Sequence, residues 1–341
     1  MPDNRLVVNR DRIDIDPGLV HVFVRGPHGG RMFDSPTGRF EVYGAILDKY
    51  LAFGGPASLL GMPLTDETGT PDGVGRFNHF QGGSIYWTPA TGAHVVYGAI
   101  RARWEFLGWE RSFLGYPVSD ELDFDEGGRV SVFQGGEVYW WPDTDAIELH
   151  HVVVRYAGMH AFGVSSGSPT DNTYGVLGVV GAESRFATRT PRRDIRSGGS
   201  HADAVELYRG RPTGLTISST VIEHDYGSPD SYVGAAKQAV QAAGTAVAGL
   251  VTLIPYVGPL LGAAVIAGVA EAGDDIAAWV AGIVGDDVMG SAQNTLTPKQ
   301  LAVLAGRTGD SHFAGLTYKF ETPLLSDGDA SYKFYFTVAA E

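Results

Sequence analysis

The chain contains no cysteine, which excludes disulfide frameworks, thiolate zinc sites and cysteine nucleophiles. Basic residues are also scarce, because 25 Lys and Arg stand against 39 Asp and Glu and give a net charge of −14. A surface with this excess of negative charge does not attract phosphate backbones, so we expect no nucleic-acid partner. The first residues include no apolar run of the signal-peptide type.

Catalytic signatures are absent as well. Gly163–Gly167 has the G-x-S-x-G spacing of a nucleophile elbow, but a loop rich in Pro, Asp and Asn follows where a helix is required. None of the five lysines follows a phosphate-binding glycine loop. We therefore predict a protein that is not an enzyme and holds no cofactor, with Ca²⁺ as the one open alternative.

The length of 341 residues is about twice that of a typical domain of roughly 150 residues, so we expect two domains. An internal repeat occupies the first of them, predicted to span residues 1–149. The stretch YGAILDKYLAFGGPASLLGMPLTDE recurs 54 residues later as YGAIRARWEFLGWERSFLGYPVSDE, and FQGGSIYWTP recurs as FQGGEVYWWP. The spacing indicates a partial unit at residues 29–43 and full units at about 44–97 and 98–149.

Each unit has the pattern of a short helix followed by a β-hairpin. In the second unit Ile100, Trp104 and Leu107 fall on one face of a helix that a glycine ends. A Leu-Gly-x-Pro corner follows, in which we expect Gly61 and Gly115 to share one backbone conformation. The hairpin comes next, with its turn at a Gly-Gly pair. Because such a unit is too small to bury its apolar face alone, neighbouring units are expected to stack.

These motifs resemble the LGFP repeat of bacterial cell-envelope proteins. The likeness rests on LLGMPLTDE and FLGYPVSDE, each followed by an F-Q-G-G-x-[IV]-Y-W strand, and extends over about residues 29–149. Met62 and Tyr116 stand where the family has its name-giving Phe. The resemblance implies a non-catalytic module that attaches to cell-wall polysaccharide or peptidoglycan, and hence an extracellular or envelope-associated protein. Since no signal peptide is visible, the alternative is a cytoplasmic protein before non-classical export.

Five aromatic residues of the two hairpins are candidate glycan-binding residues, because large rigid rings stack on sugars at low entropic cost. Their recurrence at equivalent positions of alternating strands also fits packing between units. Trp141 breaks the alternation beside Trp140, so one of these two side chains is expected to face outward. The five candidates are Tyr86, Trp87, Tyr139, Trp140 and Trp141.

The second half, predicted as a domain of residues 150–341, has β-rich runs separated by Gly, Pro, Asp and Ser. These runs favour an antiparallel β-sandwich, which makes the whole chain an α+β protein. Residues 232–284 interrupt the sandwich with a segment rich in Ala and Gly, within which residues 238–270 carry no charge. We predict an inserted hydrophobic αα-hairpin whose small residues let its two helices approach closely.

The inserted hairpin has two interpretations. Its arms of 17 and 15 residues are shorter than the ~20 needed to cross a bilayer core, which favours a hairpin that covers one face of the sandwich. The other interpretation is a toxin-like hairpin that contacts or enters a membrane after a trigger, or that meets a protein partner. The residues predicted for such a contact are Leu250, Leu253, Ile254, Tyr256, Leu260 and Leu261.

Two loops of the second half, SGSPTDNTY and EHDYGSPDSY, resemble loops of C2-like sandwiches that are interrupted by Gly/Ala-rich helices. Both place aspartates at strand ends, where Ca²⁺ would find hard oxygen ligands. Asp171, Asp225 and Asp230 are the predicted metal ligands, against the alternative of ordinary turn chemistry.

We therefore predict a non-catalytic, envelope-associated binding protein. Its repeats dock on cell-wall glycan, and its second domain presents a hydrophobic hairpin to a membrane or a partner. The alternative is a cell-envelope hydrolase with an unrecognised active site in the β-rich half, because the separation of two catalytic carboxylates cannot be read from a sequence.

Overall fold

The computed structural model describes residues 13–15, 22–182, 185–224 and 286–341. Within these residues the chain is mostly β-sheet with three α-helices, which is consistent with an α+β or β-rich class. The chain divides into two compact units. The first comprises Met1–Leu122 and Arg129–Glu148, and the second comprises Asp123–Gly128 and Leu149–Glu341.

The described part of the first half of the chain contains twelve short β-strands. In order they are β1 (Ile13–Ile15), β2 (Val22–Arg25), β3 (Arg31–Ser35), β4 (Gly38–Val42), β5 (Thr68–Gly69), β6 (Arg76–His79), β7 (Gly83–Thr88), β8 (Gly92–Tyr97), β9 (Leu122–Phe124), β10 (Gly128–Phe133), β11 (Gly136–Trp140) and β12 (Ile147–Leu149). β1 to β4 and β5 to β8 are two antiparallel meanders, and a third sheet has the order β12, β11, β10, β9.

Two helices precede the repeated hairpins, α1 (Gly44–Ala52) and α2 (Gly98–Leu107). α1 buries Ile46 and Tyr50, and α2 buries Ile100 and Trp104. The spacing of four residues puts each pair on one helix face, as the apolar pattern predicts. Gly108 ends α2 in the left-handed conformation with φ of 103°, because a glycine reaches that region without steric cost.

Each of these helices is enclosed by two successive hairpins. Two buried cores surround the helices, and β7 contributes to both, since Ile85 belongs to the core of α1 and Tyr86 to the core of α2. Successive residues of a strand point to opposite faces, so β7 is buried on both sides and stacks one repeat on the next. The core of α1 contains Phe33, Val42, Ile46, Tyr50, Leu60, Phe80, Ile85 and Val95. The core of α2 contains Tyr86, Val96, Ile100, Trp104, Leu114, Tyr116, Phe133, Val138 and Ala146.

Longer antiparallel strands form the second unit. They are β13 (Val152–Gly163), β14 (Asp171–Gly181), β15 (Arg185–Arg189), β16 (Arg193–Ile195), β17 (Ser200–Gly210), β18 (Leu215–His224), β19 (Asp286–Leu296), β20 (Ser311–Phe313), β21 (Leu316–Tyr318), β22 (Phe320–Glu321), β23 (Leu325–Ser326) and β24 (Ser331–Ala340). One five-stranded sheet has the order β17, β13, β24, β22 with β23 beside β24. The other has the order β15, β14, β18, β19 with β16 beside β14, and β20 pairs with β21.

The ring of Phe334 in one of the larger sheets packs against the backbone of Gly175 in the other. A Cβ atom on Gly175 would lie 2.7 Å from the ring of Phe334, so this position of β14 leaves room for an aromatic ring of β24. The third helix, α3 (Pro298–Gly306), begins with a capping box in which Thr297 and Gln300 exchange hydrogen bonds. The sandwich arrangement expected for this half stays a prediction.

The predicted hairpin of residues 232–284 lies outside the described residues. The same holds for its six predicted contact residues, Leu250, Leu253, Ile254, Tyr256, Leu260 and Leu261. The strands on either side of it, β18 and β19, pair antiparallel with His224 opposite Asp286. The two described residues that flank this segment, His224 and Asp286, are therefore neighbours in one sheet.

Candidate functional site in the repeat region

The Leu-Gly-x-Pro corner has the same geometry in both repeats. Gly61 has φ of 64° and Gly115 has φ of 66°, which confirms the prediction of a shared conformation. In each repeat the glutamine of the FQGG segment supports the corner. Gln81 Oε1 accepts a hydrogen bond from the backbone N–H of Met62, and Gln134 Oε1 accepts one from Tyr116, both at 3.0 Å.

The aspartate that follows each corner joins its repeat to the preceding hairpin. Asp66 Oδ1 accepts a hydrogen bond from the backbone N–H of Glu41 at 2.8 Å, and Asp120 Oδ1 accepts one from Val95 at 2.9 Å. Asp120 also forms an ion pair of 2.8 Å with Lys49 of α1. These two aspartates therefore connect successive units of the repeat region.

The glutamate next to each of these aspartates forms a second repeated contact within its own repeat. Glu67 pairs with Arg76, and Glu121 pairs with Arg129 across 2.9 Å. Both arginines also donate to the hydroxyl of the tyrosine that precedes the helix, Tyr43 in one repeat and Tyr97 in the other. These polar contacts recur at repeat spacing, so they maintain the architecture of each unit.

Asp120→Asn should lower the stability of the repeat region in a pH-dependent way. Although burial raises the pKa of Asp120, hydrogen bonds from His94, Lys49 and the backbone of Val95 lower it to about 2. A carboxyl with a lowered folded-state pKa stabilises the fold above its unfolded value near 4 and loses this effect as the pH falls toward 2. We expect the variant to lose about 1 to 2 kcal/mol at pH 7 and only a small part of that at pH 2, where the carboxyl of the wild type is about half protonated.

Urea unfolding followed by tryptophan fluorescence at pH 7, 4 and 2 measures this difference. Five of the six tryptophans lie between residues 87 and 141, so the signal reports mainly on the repeats. Asp34→Asn is the control, because Asp34 forms an exposed ion pair with Arg39 and exposed pairs contribute little. A constant difference between wild type and Asp120→Asn across this pH range would contradict the prediction.

The five predicted glycan-binding aromatics divide into two groups. Tyr86, Tyr139 and Trp141 are buried, with exposed fractions of 3%, 2% and 0%. Trp87 and Trp140 occupy equivalent repeat positions and are partly exposed. The structure therefore presents only the second group to solvent among the five.

The break in alternation at Trp141 explains which tryptophan of the pair faces outward. β11 ends at Trp140, and the chain then turns, with the N–H of Thr144 donating to the carbonyl of Trp141 at 3.1 Å. The turn directs Trp141 inward, where its ring lies parallel to Tyr139 with centroids 6.2 Å apart. Trp140 is the partly exposed member.

Exposed apolar side chains recur in the corners, a feature that the sequence pattern did not single out. Leu59 and Phe113 are 52% and 56% exposed, and Leu64 and Val118 are 36% and 39% exposed. Each pair is 54 residues apart, so exposure is a property of the repeat position. The geometry of the corner therefore places these apolar side chains at the surface.

A cleft of about 470 Å³ lies where the first repeat hairpin meets the second corner. Its lining combines carboxylates and other polar groups with small apolar side chains, namely Asp72, Val74, Thr88, Pro89, Ala90, Glu110, Tyr116 and Gln134. Glu110 has no counterpart in the first repeat, which has Pro56 at the equivalent position, whereas Asp72 lies 53 residues before Asp125. Comparison of the two repeats therefore could not single out Glu110.

The two carboxylates of the cleft differ in their surroundings. Burial by itself raises the pKa of Asp72, but hydrogen bonds from the backbone of Val74, from Tyr116 and from Thr70 outweigh it and hold this pKa low. The pKa of Glu110 is raised, mainly by burial and further by the charge of Asp72. The Tyr116 hydroxyl lies 2.7 Å from both Asp72 oxygens, and burial together with the neighbouring carboxylates raises its pKa to about 12.

The predicted calcium ligands are described only in part. Asp171 is fully buried, and its carboxylate accepts hydrogen bonds from the backbone of Ser165 at 2.9 and 3.0 Å and from the Tyr332 hydroxyl. Asp225 and Asp230 lie outside the described residues. Within the described part of the chain, no group of three or more His, Asp or Glu side chains is arranged to hold a metal ion. Calcium binding stays a prediction.

The LGFP repeat family matches residues 60–112 and 114–159, so the chain carries two LGFP repeats, as its motifs predicted. The matches cover less than a third of the 341 residues. Both begin at the Leu-Gly-x-Pro corner and continue through the hairpin; the first match then covers α2, and the second covers β12 and part of β13. LGFP repeats suggest a protein associated with the cell envelope. No curated protein matches the chain significantly.

Within the residues that the structure describes, no helix has the length and apolar character needed to cross a membrane.

Proposed function

We propose that this protein is a non-catalytic binding protein of the cell envelope whose LGFP repeats dock on cell-wall polysaccharide or peptidoglycan. The observation that carries the proposal is the pair Trp87 and Trp140. They are partly exposed at equivalent positions of two stacked repeats, so the module presents the same aromatic surface twice along its length. A polymer with repeating sugar units is the ligand that such a repeated surface fits.

The environment of the two tryptophans supports this proposal. Trp87 lies opposite Arg76 in the β6–β7 pair, and Trp140 lies opposite Arg129 in the β10–β11 pair. Each ring also packs against the apolar core of its repeat. A ring that is held on one side and open on the other offers a rigid stacking face, which costs little entropy when a sugar binds.

The rest of the proposal concerns the second unit and the location. In this proposal residues 232–284 contribute a hydrophobic contact to a membrane or a protein partner, on the basis of the charge-free run at residues 238–270. The protein acts outside the cytoplasm, requires no cofactor and has no nucleic-acid partner, in keeping with its net charge of −14.

Trp87→Ala and Trp140→Ala test the proposed docking. Full-length variants are incubated with purified insoluble cell wall, and the bound fraction is measured by sedimentation. We expect each variant to bind about tenfold more weakly, since stacking of one aromatic side chain contributes on the order of 1 to 2 kcal/mol. The double variant should lose retention almost completely, because two weak contacts on one polymer act together.

Phe106→Ala is the matched control for this experiment. Phe106 is the most exposed of the large apolar residues described, at 78%, but the first repeat has Ala52 at the equivalent position. Its loss should leave retention unchanged. Equal retention of wild type and the double variant, with thermal unfolding showing that both are folded, would overturn the tryptophan docking surface.

A further inference from the structure

We infer that the cleft between the two repeats is a sugar subsite in which the Glu110 carboxylate accepts hydrogen bonds from the hydroxyl groups of an uncharged glycan segment. This inference rests on the proposed function and assigns part of the recognition to a defined pocket. Its volume of about 470 Å³ falls within the ~300 to 1,000 Å³ range of small-ligand sites.

The first observation is the burial of the Glu110 carboxylate with one of its oxygens unpaired among the described residues. Its exposed fraction is 8%, and its Oε1 atom has no hydrogen-bond partner among the described residues. A buried carboxylate oxygen without a donor destabilises the fold. Glu110 also lines the cleft, so its carboxylate borders the space in which a sugar hydroxyl group would donate.

The second observation is backbone strain immediately before Glu110. Trp109 has φ of 59°, where the first repeat has Gly55 with φ of 58°. A side chain in this left-handed region carries a steric cost, and such strain collects at functional sites. The Trp109 ring is fixed by contacts with Tyr86 and Trp104. The strained residue thus holds Glu110 at the cleft, although a glycine would relieve the backbone.

The remaining lining favours an uncharged sugar over a cation. The second carboxylate, Asp72, already accepts from Thr70 Oγ1 at 2.7 Å and from the N–H of Val74 at 2.9 Å, besides the Tyr116 hydroxyl. Its charge is therefore satisfied within the protein. Val74, Pro89 and Ala90 add exposed apolar surface, which matches the C–H face of a sugar ring. The Glu110 carboxylate beside this apolar surface suits a sugar, whose hydroxyl groups donate hydrogen bonds and whose C–H face packs on apolar side chains.

Glu110→Gln tests the inference in the full-length chain. Binding to soluble arabinogalactan is measured by calorimetry and binding to insoluble peptidoglycan by sedimentation, so that the two sources of sugar hydroxyls are distinguished. We expect a loss of about tenfold or more for the polymer that occupies the cleft. The unfolding temperature should stay the same or rise, because the substitution removes a buried unpaired charge. A residue with a purely structural role would instead lose stability together with binding.

Two further measurements separate a local effect from misfolding. Ala90→Trp fills the rim of the cleft without changing its polar groups and should weaken binding to the same polymer. Glu105→Gln, on an exposed residue of α2 that pairs with Arg101, should change nothing.

The pH dependence of binding supplies an independent readout. The titratable groups that face Glu110 are Asp72, Arg111, Tyr86 and Tyr116. Because the pKa of Glu110 is raised, wild-type binding should weaken on acidification at a higher pH than for an ordinary glutamate, and Glu110→Gln should lose this dependence.

The outcomes separate the inference from the proposed function. If wild type binds a polymer and both Glu110→Gln and Ala90→Trp bind it equally well, the cleft inference is overturned and the tryptophan docking surface stands. If wild type binds neither polymer, the proposed function and the inference fall together.

Discussion

Gly135→Ala is expected to unfold the second repeat at denaturant concentrations where the wild-type repeat is stable. A Cβ atom at Gly135 would overlap the carbonyl oxygen of Phe113, which belongs to the corner. The obstacle is backbone, so no rotation of a side chain relieves it. The N–H of Gly135 also donates to the carbonyl of Leu114 at 2.9 Å, and the strand cannot retreat without losing this bond. We expect a loss of about 3 kcal/mol or more.

Gly69→Ala is the matched control for this substitution. Gly69 lies in β5, has no positive φ, and a Cβ atom there would meet nothing within 4 Å. Its replacement should change stability by less than about 0.5 kcal/mol. Urea unfolding by tryptophan fluorescence compares the two variants. Equal unfolding midpoints for Gly135→Ala and Gly69→Ala would contradict the prediction, because they would mean that the carbonyl of the corner can move away from a Cβ atom.

Gly82→Ala should repeat the Gly135 result, because a Cβ atom there would overlap the carbonyl oxygen of Leu59.

Trp104→Ala is the second variant with a large expected effect. Trp104 of α2 is fully buried. Its ring centroid lies 4.6 Å from the ring centroid of Tyr86 and 5.2 Å from those of Trp109 and Phe133. Removing it leaves a cavity that these aromatic rings cannot close. We expect the free energy of unfolding to fall by about 3 to 5 kcal/mol. Since Tyr86 belongs to the preceding hairpin, the loss should weaken the stacking of the two repeats.

Phe106→Ala on the same helix is the control for Trp104→Ala. Phe106 is 78% exposed, so its removal should cost less than about 0.5 kcal/mol. Chemical unfolding followed by circular dichroism, which does not depend on the deleted tryptophan, measures both variants. A loss below about 1 kcal/mol for Trp104→Ala would contradict the assignment of this side chain as the centre of the α2 core.

The proposed docking surface and the cleft divide the recognition between two kinds of residue. Trp87 and Trp140 belong to the repeat pattern, so a longer array would present them again in each unit. Glu110 is particular to this junction of two repeats, because the first repeat has Pro56 at the equivalent position. We therefore expect the tryptophans to govern retention on the polymer in general and Glu110 to govern which polymer is preferred.

Much of the repeat architecture was determined by the sequence itself. The 54-residue spacing predicted the equivalence of Gly61 and Gly115, and the apolar spacing in α2 predicted the buried face with Ile100 and Trp104. These features follow from local rules, because a corner glycine needs a positive φ and a helix places every fourth residue on one face. The stacking of units was expected because one unit alone has too little apolar surface to bury.

Only the tertiary structure decided which side chains of the repeats face solvent. Periodicity places Tyr86 and Trp87 on opposite faces of β7, but it cannot say that the second repeat covers Tyr86. The inward turn of Trp141 and the exposure of Phe113 likewise depend on backbone directions at the end of a strand and at a corner. The cleft required two carboxylates from different repeats to come together, and Glu110 is 38 residues from Asp72 in the chain. Contacts over such separations arise from packing, which local sequence patterns do not encode.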